Sequence, residues 1–330
     1  MNAIRMMNMS TRALVAILHL ACVKATVISQ LPLANAFKVS CAAPLSITST
    51  PAGLRGVFTS EAVTRGDRLL SIPLQSCLTV PRGAEDDVDL AMALIDAIET
   101  DEPWIAYCKD YLPRSTNAAI IWDEDEIDEL QIPAVVEQAQ ALSERCIDTY
   151  KERFKATEAD DEAEEADEKL GSNGAAGRSR TPSLDEWKWA FSMVYSRSFS
   201  LEESRDGGKG PLRAMAPFVD MFNHVPESPA EYAAQYDAWE AAGYDEPPSP
   251  WRLERAGQAA DESAADYVVS LYADRAVASG EEIRVPYGIE TTGECLCTSG
   301  FVPDDNSADY ATIFADPVEV RASLPAHTAL

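Results

Sequence analysis

The order of strand-like and helical segments constrains the fold of this chain more than any other feature. Short runs of β-branched and apolar residues lie at 56–58 and 68–73, and again at 267–272 and 282–287. Turn residues such as Gly, Asp and Ser bound these runs, a pattern typical of strands in small antiparallel sheets. The sequence therefore predicts strands towards both ends of the chain.

The middle of the chain has helical periodicity instead. Apolar residues recur at helical spacing in 87–98 and 135–154. Ser183 and Glu186 form the sequence pattern of a capping box, so a helix is expected to begin at about residue 184. These patterns predict an α+β protein in which helices are inserted between two sets of strands.

One ion pair can be predicted from these patterns. Arg197 lies on the border of the apolar face of the helix that follows Ser183, where an unpaired guanidinium would be costly to bury. The apolar run 215–222 carries a single carboxylate, Asp220. Asp220 is therefore the expected acceptor for Arg197.

Two polar stretches separate these elements. The first, 158–182, begins with eight acidic residues within 158–168 and continues into Gly, Ser and Ala. The second, 226–266, is rich in polar residues and proline. Neither composition can bury enough apolar area to offset the entropy of ordering the chain, so both stretches are expected to be mobile loops.

Charge and composition exclude several classes of function. The chain of 330 residues has 27 basic and 55 acidic residues, a formal net charge of −28, which disfavours binding to a phosphate backbone. Its three histidines are too few for a multi-histidine metal site, and its seven cysteines contain no C-x-x-C pair. We therefore expect no metal site and no nucleic-acid partner.

The first residues resemble a targeting signal. Arg5 and Arg12 precede the apolar run 13–23, and Ala34-Asn35-Ala36 offers a cleavage site, so residues 1–36 are predicted to be a signal peptide. The apolar run is too short to span a bilayer, and the processed protein is expected to have no membrane association. Residues 37–50 are a candidate transit segment of a bipartite plastid presequence, and ordinary secretion is the alternative.

Four short motifs together resemble the SET-domain protein methyltransferases of the Rubisco large-subunit methyltransferase-like group. The motifs are GLRGVF at 53–58, YSRSF at 195–199, DMFNHVP at 220–226, and VPYG at 285–288 followed by GFVP at 300–303. The resemblance implies a SET fold of small β-sheets with pseudoknot-like threading. It places the SET domain at 51–303, with a helical insertion at about 88–212. It also implies that 304–330 is a short remnant that lacks the group's substrate-binding domain.

The same resemblance implies S-adenosylmethionine-dependent methylation of a protein lysine, with a plastid substrate such as Rubisco large subunit or aldolase. Tyr287 corresponds to the catalytic tyrosine at the methyl-transfer channel. The residues that correspond to cofactor contacts are Ala52, Gly53, Leu54, Arg197, Asn223, His224 and Phe301. Arg197, Asp220 and Tyr287 correspond to residues near the substrate lysine. For Arg197 and Asp220, a purely structural ion pair is an equal alternative.

The chain departs from the group's pattern at one informative position. Ser299 stands where the group usually has a tyrosine before Gly-Phe, which removes one aromatic wall of the lysine pocket. Methylation of another side chain, such as histidine, therefore remains an alternative. A non-catalytic SET-fold interaction module is a second alternative, and cofactor binding would distinguish it from an enzyme. The target residue, the number of methyl groups and the oligomeric state do not follow from the sequence.

Overall fold

The computed structural model describes residues 25–49, 54–155, 180–202, 210–226, 250–255, 267–288, 290–304 and 306–309. The strands are β1 (Thr26–Val27), β2 (Ser40–Cys41), β3 (Leu45–Ser49), β4 (Arg55–Thr59), β5 (Arg68–Pro73), β6 (Leu78–Pro81), β7 (Phe199–Leu201), β8 (Leu212–Met215), β9 (Asn223–His224), β10 (Trp251–Arg255), β11 (Tyr267–Tyr272) and β12 (Glu282–Val285). The α-helices are α1 (Pro32–Ala36), α2 (Asp86–Thr100), α3 (Glu102–Asp110), α4 (Glu124–Asp128), α5 (Pro133–Tyr150), α6 (Leu184–Arg197) and α7 (Thr292–Ser299).

The strands form three small sheets. Their orders are β1-β3-β4-β12-β9, β10-β11-β5-β2 and β6-β8-β7. All pairings within them are antiparallel except that of β12 with β9, which is parallel. The predicted strands at 56–58, 68–73 and 267–272 are present, and the fourth predicted strand ends at Val285 rather than at residue 287.

The three helices predicted between β6 and β7 are present as α2, α5 and α6, although α5 ends at Tyr150 rather than at residue 154. Helix α6 begins after Ser183, whose side chain accepts from the Glu186 amide while the Glu186 carboxylate accepts from the Ser183 amide. Asp87 of α2 accepts hydrogen bonds from Arg145 of α5 and Tyr195 of α6, which ties the three helices together. In the described ranges these helices lie between Asp86 and Arg197, whereas the predicted insertion of about 88–212 also covers strand β7.

Residues that precede the predicted domain boundary at 51 form strands that pair with the first sheet. Strand β3 pairs along its whole length with β4, and β1 pairs with β3, so the fold includes residues before 51. Ile28 and Ala34 are fully buried in the hydrophobic core. The candidate cleavage site therefore lies inside helix α1, and the candidate transit segment 37–50 supplies strands β2 and β3. Cleavage after Ala36 would remove part of the core.

The second polar stretch also contains more structure than its composition predicts. Strand β10 lies within 226–266 and pairs with β11 over five residues, with Leu253 buried. The predicted loop 158–182 lies outside the described residues up to residue 179. Among the helices in the described ranges, none is long and apolar enough to cross a membrane.

Candidate active site

Three strands bring distant parts of the sequence together at one place in the sheet. Strand β12 lies between β4 and β9: Ile283 pairs with Val57 of β4, and Val285 pairs with His224 of β9. The parallel register of β12 and β9 places the Asn223-His224 pair beside the end of β12, two residues before Tyr287. The three motifs at 53–58, 220–226 and 285–288 are therefore neighbours in space.

Tyr287 is fixed through both its backbone and its side chain. Its backbone amide donates to His224 Nδ1 at 3.1 Å, and its hydroxyl donates to the backbone carbonyl of Phe222 at 2.7 Å. Burial raises the pKa of the Tyr287 phenol above its ordinary value, the charge of Asp220 acts in the same direction, and Arg197 opposes it. The phenol is therefore protonated at neutral pH and can act as a neutral oriented oxygen.

His224 is a buried neutral imidazole. The residue is 9% exposed, and its ring lies 5.0 Å from the Tyr287 ring and 5.7 Å from the Phe301 ring, measured between centroids. Burial lowers the pKa of His224 to about 4, and the charges of Arg284 and Arg275 contribute. Because Nδ1 accepts from Tyr287, the proton of the neutral ring belongs on Nε2. That Nε2 group is buried and has no hydrogen-bond partner among the described residues.

Asn223 holds the beginning of β4 in place. Its Nδ2 donates to the backbone carbonyl of Arg55 at 2.8 Å and to Glu282 Oε1 at 2.7 Å. Gly56 leaves room for this contact, because a Cβ at this position would lie 2.3 Å from Glu282 Oε1 and 3.3 Å from Asn223 Nδ2. The side chain of Asn223 thus links all three converging strands.

Arg197 and Asp220 form the predicted ion pair. Arg197 Nη1 lies 3.3 Å from Asp220 Oδ2 and donates to the Asp220 carbonyl at 2.9 Å. Tyr107 donates a short hydrogen bond to Asp220 Oδ1 and accepts from the amide of Phe218, a residue with a positive φ of 69°. Burial, followed by the charge of Asp220, raises the pKa of Tyr107 well above its ordinary value. The Asp220 carboxylate is thus hydrogen-bonded through both oxygens.

The structure brings most of the predicted site residues together. Tyr287, Asn223, His224 and Phe301 form one group, and the charges of Arg197 and Asp220 act on the Tyr287 phenol. Leu54 directly precedes β4, with 66% of its surface exposed. Ala52 and Gly53 lie outside the described residues. The assignment of these residues to cofactor and substrate stays a prediction.

Sequence patterns missed several other residues of the site. Arg55 donates to the carbonyl of Tyr111 at 2.6 Å, although the two are 56 positions apart. Glu290 is partly buried, its charge acts on the Tyr287 phenol, and burial raises its own pKa. The only sequence feature that could have indicated Arg55 as a site residue was its position between the two glycines of the 53–58 motif. Within the described ranges, no group of side chains could hold a metal ion.

Comparison with solved structures decides the fold. The SET domain of LSMT bound to lysine and AdoHcy matches with a TM-score of 0.54 and 17% sequence identity, over 82% of this chain and 56% of that chain. Rubisco LSMT bound to AdoMet matches with a TM-score of 0.50 and 18% identity, over 83% of this chain and 55% of that chain. The chain has the SET fold. The predicted α+β class is confirmed.

Curated relatives agree with this fold. The chain is 25% identical over 245 residues to the [fructose-bisphosphate aldolase]-lysine N-methyltransferase, chloroplastic, of Arabidopsis thaliana, covering 74% of this chain and 42% of that protein. It is 23% and 20% identical to the chloroplastic Rubisco large-subunit N-methyltransferases of Nicotiana tabacum and Pisum sativum, over 56% and 82% of this chain. The chain spans 36% and 50% of the length of those two proteins.

The predicted resemblance to the Rubisco large-subunit methyltransferase-like group is confirmed by these SET-fold and sequence similarities. No protein-family model matches the chain.

Proposed function

We propose that this SET-fold protein is an S-adenosylmethionine-dependent protein-lysine N-methyltransferase. The observation that carries the proposal is the convergence of Asn223, His224 and Tyr287 at one end of β12, with the Tyr287 hydroxyl fixed on the Phe222 carbonyl. Similarity to proteins named as lysine or Rubisco large-subunit N-methyltransferases supports the same reaction. So do the related solved SET domains, which hold AdoMet or AdoHcy.

The donor groups of the site fit a cofactor with polar and anionic parts. His224 Nε2 and Arg197 Nε are both buried, with no hydrogen-bond partner in the described part of the chain. An unsatisfied buried donor costs about 1 to 3 kcal/mol, which a ligand acceptor would recover. Asn223, His224 and Phe301 would hold the cofactor, with Arg197 at its carboxyl end, and the backbone at 52–54 would approach it closely.

For this reaction the protein must mainly position the substrate amine and remove water from around it. When bound, the cofactor would supply an electrophilic methyl group on its sulfonium sulfur. The lysine must present a neutral amine, and a buried channel favours this form by lowering the lysine pKa. Alignment of the amine with the methyl group can contribute about 7 to 11 kcal/mol. No metal or covalent nucleophile is needed, which suits the residues of this site.

Tyr287 would act as an orienting oxygen rather than as a base. Its hydroxyl proton is used in the bond to Phe222, which leaves the lone pairs of the oxygen free. Because burial raises the pKa of this phenol, the tyrosinate that could remove a proton is scarce at neutral pH. A neutral oxygen at the channel can make weak C–H···O contacts with a polarised methyl group. Tyr287 is the catalytic residue of this proposal, and Asp220 would lie near the substrate lysine.

The proposed substrate is a plastid protein that presents a lysine side chain. The chloroplastic relatives named for Rubisco large subunit and aldolase make these two proteins the first substrates to test. Ser299 is partly buried and carries a hydroxyl where the group usually has an aromatic ring. The lysine pocket would therefore be wider or more polar on that side, and histidine is included among the acceptors to examine.

Mass spectrometry tests the proposal. The full chain is incubated with Rubisco or aldolase and with S-adenosylmethionine carrying a deuterated methyl group, and modified peptides are mapped. A deuterated methyl group on lysine supports the proposal, whereas a label on histidine would correct the acceptor. Calorimetry with S-adenosylhomocysteine is performed on the same preparation. A folded protein that binds no S-adenosylhomocysteine would contradict the proposal and favour an interaction module.

A further inference from the structure

A surface groove lies between helices α4 and α5 and contains none of the residues of the candidate active site. Its volume is about 370 Å³, and Leu130, Pro133 and Val136 form its apolar lining. Asp128, Glu137 and two glutamines complete the lining. Ligand pockets begin at about 300 Å³, so the α4–α5 groove is large enough to take an apolar side chain of a partner.

Local sequence explains why the α4–α5 groove forms. Asp123 caps α4, and only the connection 129–132 separates α4 from α5. Ile127 of α4 and Ala139 of α5 are buried in the same small cluster, which holds the two helices together. Ile132 in the connection is 63% exposed, and its neighbours on both sides line the groove. Ile132 therefore adds exposed apolar surface next to that of the groove.

The charge around the α4–α5 groove is negative and unbalanced. Residues 123–144 contain eight carboxylates and no lysine or arginine. In the part of the chain that the structure describes, no ion pair involves Asp128 or Glu137. Arg145, the next basic residue along the chain, is bound to Asp87 of α2. The groove thus offers apolar contacts beside carboxylates that have no cation.

These two properties define the chemistry of a matching partner. Exposed ion pairs contribute little affinity on their own, so the carboxylates would mainly attract and orient a basic segment. Burial of an apolar side chain in the groove would supply most of the affinity. A matching segment therefore carries lysine or arginine next to a side chain such as leucine.

The position of the α4–α5 groove indicates which partner brings this segment. Helix α5 packs against α7: a Cβ on Gly293 would lie 2.7 Å from Val135 Cγ2, and Cys297 Sγ donates to the Val135 carbonyl at 3.8 Å. Helix α7 lies between Tyr287 and Phe301 of the candidate site. Packed helices are about 8 to 10 Å apart, whereas a protein interface covers about 800 Å² on each partner. A protein whose lysine reaches Tyr287 is therefore large enough to reach the groove as well.

We propose that the α4–α5 groove binds a basic segment of the protein substrate, away from the target lysine. Asp128 and Glu137 would face the basic side chains, and an apolar side chain would insert beside Val136. The proposal rests on the proposed function, since it assigns a second contact of the same substrate. Substrate choice would then depend on two separate parts of the substrate surface.

Peptides without lysine test the groove separately from methyl transfer. One fluorescent peptide has arginine and leucine at helical spacing, and a second has serine in place of every leucine. Fluorescence anisotropy measures their binding to the full chain and to two double variants. Asp128→Lys with Glu137→Lys alters the groove, and Glu61→Lys with Glu202→Lys makes the same change of charge at exposed positions elsewhere. Circular dichroism and thermal unfolding establish that each variant is folded.

The parent should bind the arginine–leucine peptide at least about 10-fold more tightly than the arginine–serine peptide, because only leucine can bury apolar surface in the groove. The groove variant should bind the arginine–leucine peptide about 10-fold more weakly than the parent. The control variant should bind it nearly as the parent does, since salt screens distant charges. If the charge reversal disturbs the fold, Asp128→Asn with Glu137→Gln keeps the shapes of both side chains and should show a smaller loss of the same kind.

Steady-state methylation of the substrate found by mass spectrometry tests whether the substrate is the occupant. The groove variant should raise KM for the intact protein by about 10-fold. Turnover and affinity for S-adenosylhomocysteine should change little, because the groove contacts neither the cofactor nor the target lysine. The control variant should keep the parental KM.

The failures of this proposal and of the proposed function can be distinguished. Equal affinity of the parent for both peptides, no binding of either, or equal losses in the two double variants would overturn the groove as a docking surface. An unchanged KM in a groove variant that has lost peptide binding would overturn the substrate as its occupant. A parent that binds the peptide but transfers no methyl group would contradict the proposed function and, with it, the substrate as occupant.

Discussion

The hydroxyl of Tyr287 donates to the backbone carbonyl of Phe222 at 2.7 Å, which connects the end of β12 with the residue that precedes β9. The adjacent backbone amide of Tyr287 donates to His224 in the same segment. Two hydrogen bonds therefore fix the tyrosine ring relative to the Asn223-His224 pair. This arrangement gives the phenol oxygen a defined position at the site.

Removal of the side chains of Asn223 and His224 tests the predicted cofactor contacts. Asn223→Ala would release the beginning of β4, and His224→Ala would remove the Nε2 donor, which has no partner among the described residues. Each variant should bind S-adenosylhomocysteine at least about 10-fold more weakly, as expected for the loss of one well-placed hydrogen bond. Asn35→Ala, at an exposed position in α1, is the control and should bind as the parent does. Unchanged calorimetric affinity in both site variants would make the pair purely structural.

The buried His224 predicts a specific dependence of stability on pH. Its folded-state pKa of about 4 lies below the ordinary value of 6.5, so the unfolded state binds more protons between these values. The contribution of the neutral ring is therefore complete above pH 6.5 and is lost as pH falls towards 4. The loss should reach about 2 to 3 kcal/mol.

Urea unfolding of the cofactor-free protein at several pH values measures this contribution. His224→Asn keeps an acceptor near the position of Nδ1 but does not titrate, so its stability should fall less between pH 6.5 and 4. Parallel pH profiles for parent and variant would show that His224 is not held neutral by burial.

Gly300 joins helix α7 to Phe301 and cannot be replaced without strain. Its φ is +75°, and a Cβ would lie 2.5 Å from the backbone nitrogen of Ala118. Gly66 has a φ of +88° with no atom within 4 Å of such a Cβ, so it is a matched control. Gly66→Ala should cost about 1 to 2 kcal/mol, and Gly300→Ala should cost at least about 3 kcal/mol because of the added clash. Equal unfolding free energies for the two variants would contradict the packing around Gly300.

The packing of residues 26–36 limits where a leader peptide can be cleaved without loss of stability. A chain that begins at residue 25 keeps β1, Ile28 and α1, whereas a chain that begins at residue 37 loses all three. The shorter chain should be less stable to urea by about 3 kcal/mol or more, because burial of one large apolar side chain alone contributes about 1.5 to 3 kcal/mol. N-terminal sequencing of native material should begin no later than residue 26. A native chain that begins at Phe37 with the stability of the longer one would contradict this.

Local patterns in the sequence predicted some features well. The capping box at Ser183 follows from contacts between residues three positions apart. The Arg197–Asp220 pair could be predicted because the apolar run 215–222 offers a single carboxylate. The pairing of residues before 51 did not follow from the sequence, because the small residues that resemble a cleavage site also fit the packed helix α1. Strand β10 was missed because few of its residues are apolar and only Leu253 is buried.

The site itself could be predicted only in part. Tyr287, Asn223 and His224 were found through the resemblance, since nothing in local spacing joins residues more than 60 positions apart. The contact of Arg55 with Tyr111 and that of Tyr107 with Asp220 depend on tertiary packing that no periodicity encodes.

The rate of methyl transfer by Tyr287→Phe tests the central claim most directly. Tyr272→Phe is the control, because it also removes a hydroxyl that donates a hydrogen bond, to Glu254 on the neighbouring strand β10. Single-turnover transfer from labelled S-adenosylmethionine to the substrate found by mass spectrometry is measured for both variants. Tyr287→Phe should be about 100-fold slower, equivalent to about 2.7 kcal/mol at the barrier, with nearly unchanged cofactor affinity. Tyr272→Phe should transfer at the parental rate, and a Tyr287→Phe variant that did the same would contradict the account.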